Sequence, residues 1–362
     1  MASPLLVGTK KGLFLFDRSD EGWAIAGHVF SGVPVSAVLY DRRDGALYAA
    51  LNHGHFGVKL QRSEDGGANW SELPAPAFAQ GFDADAAKPP SVSLLWTLEA
   101  AGKDAPGVLW AGTIPGALFR SADRGASWTL NEPLWRLEAR AQWAGGGYDD
   151  PGIHSVLIDP NDSDRMVLGV STGGVWLSEN GGRSWSLGGE GLFAGYMPKE
   201  RHYDPVVQDT HRLAMCPAAP ERIWTQHHCG VFRSDNGGRN WVRIKGLPVS
   251  DFGFAVAVHP RDPERAWFVP AESDEKRAPI DGRFIVNTTR DGGRSFAMQE
   301  AGLPPRPAYD LVYRHALAIA PDGETLAMGS TTGGLWATAN GGAEWRLVNA
   351  RLPPIACVRF AL

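Results

Sequence analysis

The sequence predicts an all-β fold, a closed seven-bladed β-propeller built from four-stranded antiparallel blades. Three observations support this prediction. An eight-residue phrase recurs six times, short apolar runs bounded by turn residues surround each copy, and the two chain ends each supply part of one more blade. The copies start 49 to 58 residues apart along a chain of 362 residues. A period of this size is typical of a repeat architecture, in which each unit packs on the next.

The recurring phrase, Ser/Thr-x-Asp/Asn-x-Gly-x-x-Trp/Phe, is typical of a tight turn between two strands. An Asp or Asn oxygen can accept hydrogen bonds from backbone N–H groups, glycine tolerates positive φ, and the aromatic side chain provides apolar area. Because turn chemistry accounts for all these residues, we interpret them as structural. The six copies are Ser63–Trp70, Ser121–Trp128, Ser178–Trp185, Ser234–Trp241, Thr289–Phe296 and Thr338–Trp345.

The phrase resembles the Asp-box of the BNR repeats in sialidase-like β-propellers, and the resemblance covers essentially the whole chain. In that family the phrase joins the third and fourth strands of a blade, so the four strands A to D can be placed around it. In the fourth repeat, A is His211–Pro217, B is Arg222–His228, C is Gly230–Ser234 and D is Trp241–Ile244. Short β-branched and aromatic runs between Gly, Pro and Asn fit such blades.

The chain ends predict how the ring closes. Leu5–Thr9, Gly12–Asp17 and Trp23–Gly27 supply strands B, C and D, with a degenerate turn at Arg18–Gly22, but no strand A precedes them. Ile355–Leu362 reads as one orphan strand after the sixth full repeat. Pairing it with the N-terminal strands completes a seventh blade and removes exposed edges. We therefore expect residues 1–362 to form a single propeller.

Composition and charge restrict the function. The net charge is −5 with no basic stripe, which argues against a nucleic-acid partner. No segment is long enough to span a bilayer, and the N-terminus lacks a signal-peptide pattern, so we expect a cytoplasmic protein without a membrane partner. Cys216, Cys229 and Cys357 are not placed for an obvious disulfide. We expect no nucleotide cofactor.

The resemblance implies the fold but does not imply sialidase activity. Sialidases carry an Arg-containing Phe/Tyr-Arg-Ile-Pro motif, which is absent before the first phrase, and they have six blades rather than seven. Large xyloglucan-cleaving relatives use two propellers with the substrate between them, whereas one is present here. Non-enzymatic relatives also exist, so a binding scaffold is an alternative to an enzyme.

Histidines concentrate on the face formed by the D-to-A and B-to-C connections, here called the top face. His154, His211 and His315 each stand six residues before the Pro that ends strand A, in the third, fourth and sixth repeats. We predict that they converge at the mouth of the central channel and bind a divalent transition metal such as zinc or manganese. His227 and His228 are second-choice ligands. A structural role, with the rings bonded to neighbouring carbonyls, is the alternative for each.

A Tyr-Asp step precedes each of the three histidines, which suggests general acid–base chemistry. The predicted catalytic residues are Tyr148, Asp149, Asp204, Tyr309 and Asp310. Arginines and tryptophans in the same loops can hold a carboxylate and stack on a sugar ring. The predicted substrate-binding residues are Arg140, Trp143, Arg212 and Arg314.

The long D-to-A connections, 130–154 and 188–211, suggest a covered pocket. Trp135–Trp143 has apolar residues at roughly helical spacing and is predicted to form a lid over the channel. These features favour a hydrolase- or lyase-like enzyme that acts on a small polar, acidic saccharide or oligosaccharide, with or without a metal. The alternative is a non-catalytic propeller that binds a protein partner or a metal on the same face.

Overall fold

The computed structural model describes residues 4–20 and 22–361. It confirms the predicted fold, since the strands form seven antiparallel sheets of four strands each. Strand A of every blade contacts strand A of the next blade around the whole ring, so the A strands line the central channel. We number the blades by the repeats, and the composite blade that joins the two chain ends is blade seven.

Blade seven begins at the N-terminus, and blades one to three follow along the chain. Their strands are β1 (Leu5–Thr9), β2 (Gly12–Ser19), β3 (Gly22–Val29), β4 (Val35–Asp41), β5 (Ala46–Asn52), β6 (Val58–Ser63), β7 (Ser71–Leu73), β8 (Leu94–Ala100), β9 (Leu109–Ile114), β10 (Leu118–Ser121), β11 (Thr129–Leu130), β12 (Ile153–Asp159), β13 (Asp162–Val170), β14 (Gly174–Glu179) and β15 (Ser186–Leu187).

Blades four to six and the closing strand complete the ring. Their strands are β16 (Thr210–Cys216), β17 (Ala219–His227), β18 (Gly230–Ser234), β19 (Val242–Ile244), β20 (Gly253–Val258), β21 (Ala266–Pro270), β22 (Val286–Thr289), β23 (Ala297–Gln299), β24 (Leu317–Ile319), β25 (Leu326–Gly329), β26 (Leu335–Thr338), β27 (Arg346–Asn349) and β28 (Ile355–Phe360).

Helical structure is limited to the connections. One short α-helix, α1, spans Glu132–Trp135 in the connection between blades two and three. The 3₁₀ turns are Gly54–Phe56, Glu138–Gln142, Lys199–Arg201, Pro205–Val207 and Ile280–Gly282. In the described part of the chain, no helix has the length and apolar character needed to cross a membrane.

The predicted ring closure is confirmed. Strand β28 pairs with β1 in antiparallel register, with Leu5 opposite Phe360 and Val7 opposite Val358. The last residue of the predicted strand, Leu362, lies outside the described residues, as does Glu21 in the predicted N-terminal turn. Pairing the two chain ends makes blade seven depend on residues separated by almost the whole sequence.

The repeated phrase forms the C-to-D turn in each of the six blades, as its composition predicts. In the first copy the Ser63 hydroxyl accepts from the Gly67 backbone N–H at 2.9 Å, and Asp65 accepts from the Asn69 N–H at 2.9 Å. Gly67 adopts a φ of +96°, and a Cβ there would lie 2.5 Å from the Leu15 side chain of blade seven. The turn therefore needs glycine both for its backbone conformation and for the close approach of the next blade.

Inner strands share one irregularity that shapes the channel. In six blades a β-bulge leaves one residue of strand A without a partner in strand B, near the top of the strand. These residues are Ser36, Trp96, His154, His211, Phe254 and Ala356. A bulge re-aims the unpaired side chain. All of these residues except His154 reach the top end of the channel.

The turn carboxylates provide a test of stability against pH. Hydrogen bonds lower the pKa of Asp65 from 3.8 to about 2, chiefly those from Asn69, and the pKa of Asp291 to about 2, chiefly that from the Ser295 hydroxyl. Because the folded pKa is depressed, this stabilisation is present above about pH 4 and is lost as the pH falls towards 2. The double variant Asp65→Asn, Asp291→Asn should show a shallower fall of Tm between pH 4 and 2 than the parent chain.

At neutral pH the double variant should keep a similar Tm, because Asn occupies the same position in three of the natural turns. In one of them, Asn180 accepts from the Ser184 backbone N–H at 2.9 Å. The reverse change Asn180→Asp is the matched control and should steepen the acid slope. Equal slopes for all three proteins, measured by circular dichroism, would show that these carboxylates contribute nothing to the pH dependence.

Candidate active site

A pocket of about 1400 Å³ opens at the top end of the central channel. The D-to-A and B-to-C connections of several blades form its wall, together with the bulged residues Trp96, His211 and Phe254. A second cavity of about 660 Å³ lies at the bottom end and is lined by the A-to-B turns. Trp96 and His315 border both cavities, so they lie where the two ends of the channel meet.

Three ionisable side chains meet on the wall of the top pocket: Asp209, His211 and His228. Asp209 Oδ2 lies 3.6 Å from His211 Nε2 and 3.4 Å from His228 Nδ1. Ligand atoms of all three residues lie within 4.8 Å of one another. Asp209 is 6% exposed and His211 is 2% exposed, so a carboxylate and an imidazole face each other away from bulk water.

Local structure fixes this cluster from two connections of blade four. Asp209 precedes β16 and His228 follows β17, and the His228 backbone N–H donates to the Asp209 carbonyl at 2.9 Å. The His211 ring stacks on Phe254 of blade five, with ring centroids 4.6 Å apart. The His228 ring meets Tyr196 edge-on at 4.8 Å. Backbone pairing and aromatic packing thus restrict both imidazoles to one orientation.

Each imidazole directs one nitrogen away from Asp209 and towards an acceptor. His211 Nδ1 lies 2.6 Å from the Gly253 carbonyl oxygen, so this nitrogen carries the proton in the neutral ring. His228 Nε2 faces Asp274 Oδ2 at 4.0 Å. The nitrogens that face Asp209 are therefore the ones left free to bind a proton or a cation.

The surroundings favour the ionised form of Asp209 and the neutral form of His211, and they favour protonation of His228. Burial alone would raise the pKa of Asp209, but His211, His228 and Arg314 together hold it well below its usual range. Burial lowers the pKa of His211 in spite of Asp209. Burial also opposes protonation of His228, but Asp209 and then Asp274 outweigh it and raise its pKa.

A buried guanidinium lies in the same pocket. Arg314 is 9% exposed and packs over Trp96 and Phe254, with its Cζ 5.0 Å and 5.5 Å from the ring centroids. Its Nη2 donates to the Gly146 carbonyl at 3.4 Å, while its Nε has no partner. No carboxylate lies within ion-pair distance of this arginine among the described residues. Arg277 lines the pocket as well and is exposed.

The predicted convergence of His154, His211 and His315 is not found. Among the residues that the structure describes, the only group of three or more potential metal ligands is Asp209, His211 and His228. His154 is fully buried with Nδ1 on the Ser155 hydroxyl at 3.0 Å, and His315 Nε2 donates to the His154 carbonyl at 2.7 Å. In these two residues a side-chain nitrogen makes a structural hydrogen bond.

His227 and His228 have opposite environments although they are adjacent in the sequence. His227 is buried, accepts from the Cys229 backbone N–H at 3.0 Å, and packs edge-on against Phe232. It does not line the pocket, whereas His228 does. His228 was predicted only as a second-choice ligand, yet its ring lies beside Asp209, with Nδ1 3.4 Å from Oδ2. Cys216, Cys229 and Cys357 are all free thiols.

The predicted Tyr and Asp residues are spread over the top face. Tyr148 lines the pocket and meets Trp96 edge-on at 5.2 Å, while Asp149 is exposed outside it. Asp204 caps the 3₁₀ turn Pro205–Val207 and pairs with Arg201 at 2.7 Å.

In blade six, Asp310 accepts from the hydroxyls of Ser330 and Thr332. Tyr309 is 70% exposed. Neither residue borders the pocket, so of the five predicted catalytic residues Tyr148 alone lies on its wall.

Three of the predicted substrate-binding residues lie elsewhere. Arg140 packs its guanidinium 3.4 Å from the Trp135 ring centroid, in the loop predicted to act as a lid. Trp143 is 7% exposed and contacts Trp176 in the core of blade three. Arg212 lines the bottom cavity and donates to the His154 carbonyl at 3.2 Å. Arg314 alone reaches the top pocket.

Asp209 was missed by the sequence reasoning, which looked for carboxylates in the Tyr-Asp steps. A usable signal exists, because a carboxylate stands within two residues of only one of the three strand-head histidines. Asp209 stands two residues before His211, whereas the equivalent positions before His154 and His315 hold Gly152 and Tyr313. Only blade four therefore combines a carboxylate and an imidazole at this level of the channel mouth.

No protein-family model matches the chain. The chain is 24% identical over 182 residues to a xyloglucanase of Hypocrea jecorina (strain QM6a), a match that covers 46% of this chain and 20% of that protein. Among solved structures, the GH74 xyloglucanase from Xanthomonas campestris matches with a TM-score of 0.64 and 19% identity, over 96% of this chain and 52% of that one.

The structure of YCF48 bound to D1 peptide also matches, with a TM-score of 0.55 and 17% identity, over 96% of this chain and 90% of that one. At these identities the structural likeness shows the propeller fold alone. The chain spans about half of the Xanthomonas xyloglucanase structure and a fifth of the Hypocrea protein.

The packing of Trp143 generates a testable prediction. Replacing this buried side chain with Ala should leave a cavity against Trp176 and lower the free energy of unfolding by about 3–5 kcal/mol. Trp143→Phe should restore most of that loss. Denaturant titration followed by fluorescence measures both variants. If Trp143→Ala keeps the stability of the parent chain and loses ligand affinity instead, the sequence-based role in substrate binding is the correct one.

Proposed function

We propose that the top pocket is the active site of a hydrolase- or lyase-like enzyme that acts on a small acidic saccharide. One observation carries this proposal. An ionised, buried carboxylate lies between two imidazoles on the wall of a large pocket that also holds a buried guanidinium without a carboxylate partner. Strongly perturbed ionisable groups in a cleft are typical of catalytic sites. We further propose that the chain is an Asp-box propeller, which the six equivalent turns support.

The substrate class follows from the charges on the pocket wall. Arg314 is buried and makes no direct ion pair among the described residues, although the Asp209 carboxylate acts on it from further away. A ligand carboxylate would give it a direct partner. Arg277 adds a second positive charge nearby, with its Nη1 3.4 Å from the Tyr313 hydroxyl. A uronate offers a carboxylate to the arginines, and its ring can stack on the exposed side chain of Tyr148.

The cluster supplies the proton chemistry. Asp209 with His228 activates a water molecule in a hydrolysis, or removes the proton beside the substrate carboxylate in an elimination. Arg314 would offset the carboxylate charge during elimination, and the carbon–oxygen bond to the leaving group would then break as a double bond forms. Tyr148 is placed to return a proton to the leaving oxygen, because burial raises its pKa and keeps the phenol protonated. The saccharide hydrolases among the similar proteins favour hydrolysis.

A non-catalytic binding role is the second candidate. The top face exposes large aromatic side chains, namely Phe56 at 74%, Tyr203 at 65% and Tyr309 at 70%. Exposed aromatic side chains are typical of protein contact surfaces, and one similar propeller was solved with a bound peptide. Peptide binding without turnover of any saccharide would favour this candidate.

The catalytic assignment predicts the effect of two substitutions. Asp209→Asn and His228→Gln should each lower kcat by about 10²- to 10⁴-fold, the usual contribution of general acid–base catalysis. The assay follows turnover of uronate-containing oligosaccharides by reducing ends and by absorbance of unsaturated products, which separates hydrolysis from elimination. Asp251→Asn, a top-face change outside the pocket, is the control. Full activity in both pocket variants would refute the assignment.

The substrate class predicts a selective effect at Arg314. Arg314→Met should raise KM for a uronate substrate by about 10- to 100-fold, because one charge-assisted hydrogen-bonding partner is lost. KM for the matched neutral saccharide should change little. Steady-state kinetics on the two substrates measures this difference. An equal change for both would mean that Arg314 shapes the pocket rather than recognising a carboxylate.

A further inference from the structure

We propose that Asp209, His211 and His228 form a zinc site on the wall of the top pocket, with the fourth position open to water or substrate. The site coincides with that of the proposed function and deepens it, since a zinc-bound water would take over the role given above to Asp209 with His228. Metal binding can be measured without any substrate. Two imidazole nitrogens and one carboxylate oxygen are a common ligand set of catalytic zinc.

The two distances from Asp209 to the imidazole nitrogens are close to those expected around a tetrahedral ion. Ligands about 2.0–2.1 Å from zinc at tetrahedral angles lie roughly 3.3–3.4 Å from one another. Asp209 Oδ2 lies 3.4 Å from His228 Nδ1 and 3.6 Å from His211 Nε2. Both separations are longer than charge-assisted hydrogen bonds, which are about 2.7–2.9 Å. Both pairs are therefore further apart than in such a hydrogen bond, and the two imidazole nitrogens lie within 4.8 Å of each other.

The outer nitrogens support the same conclusion. Imidazoles that bind a metal usually donate their other N–H to a carbonyl or carboxylate, which fixes the ring and its tautomer. His211 Nδ1 has the Gly253 carbonyl at 2.6 Å, and His228 Nε2 faces Asp274 at 4.0 Å. Both rings therefore turn their inner nitrogens towards Asp209.

Without a cation, buried acceptor atoms of the cluster lack suitable hydrogen-bond donors. The lone pair of His211 Nε2 faces a carboxylate oxygen, and the second oxygen of Asp209, Oδ1, is buried without a hydrogen-bond partner. Buried polar atoms in native proteins nearly always have partners. A divalent ion would convert two opposed acceptors into two ligands of one centre.

The open side of the cluster suits catalysis better than a purely structural role. His228 keeps 21% of its side chain exposed, and all three residues border the pocket. Structural zinc sites are closed by four protein ligands, whereas catalytic sites keep an open position. Zinc bound here would lower the pKa of its water ligand and supply a nucleophile beside Arg314.

The test uses the full chain, stripped with a chelator and titrated with Zn²⁺ alone. We expect one zinc per chain by calorimetry and elemental analysis, and a rise in Tm when zinc is added. Co²⁺ should give the visible absorption of a four- or five-coordinate site. His228→Gln should weaken zinc binding at least tenfold, and this partly exposed residue can change without loss of the fold. Asp209→Asn should weaken it similarly, with circular dichroism confirming that the variant is folded.

His202→Gln is the matched control, because His202 lies on the same face but outside the cluster, and it should bind zinc like the parent chain. Absence of stoichiometric zinc binding, or equal affinity in His228→Gln and His202→Gln, would overturn the inference. Zinc binding without turnover of any saccharide would uphold the metal site and count against the proposed activity. Saccharide turnover by protein that has been shown to bind no zinc would uphold the proposed activity and overturn the metal site.

Discussion

The bulge near the top of the inner strands is the constraint on which the site depends. A regular strand alternates its side chains between two faces, so a bulge changes where one residue points. In six blades this residue is Ser36, Trp96, His154, His211, Phe254 or Ala356. The backbone thus repeats a geometry while the side chain varies. Neighbouring blades place His211 against Phe254, and this packing orients the ring on which the cluster is built.

In the channel below the pocket, polar residues at the tops of the inner strands bond to one another across blades. The His154 carbonyl accepts from Arg212 at 3.2 Å and from His315 at 2.7 Å, so three blades are joined at one oxygen. The Ser155 hydroxyl accepts from the Leu213 backbone N–H at 3.1 Å. Buried polar groups that bond across blades stabilise one arrangement of the ring. The mouth can then hold unpaired groups because these bonds join the blades in the layer beneath it.

The sequence was sufficient for the fold because the information that defines it is local. Each turn phrase carries its own hydrogen-bonding residues and glycine, and the incomplete blade at each chain end shows where the ring closes. The site required information of another kind. Whether His154 and His211 share a cavity depends on bulges and on which way a ring turns, and neither is encoded in a spacing. His227 and His228 illustrate this limit, since one residue along a turn separates a buried structural ring from a pocket ring.

Repetition explains why one blade differs in function from the others. The three strand-head histidines look equivalent in sequence, but the residue two positions earlier decides what each can do. Asp209 gives His211 an ionised partner, whereas Gly152 offers His154 no side chain and Tyr313, before His315, packs edge-on against Phe254. His228 then completes the group from the adjoining turn, through the bond of its backbone N–H to Asp209. The turn phrases maintain the blades, so the channel mouth can vary without loss of the ring. One carboxylate two residues before a bulged position is enough to turn a repeated structural residue into part of a candidate active site.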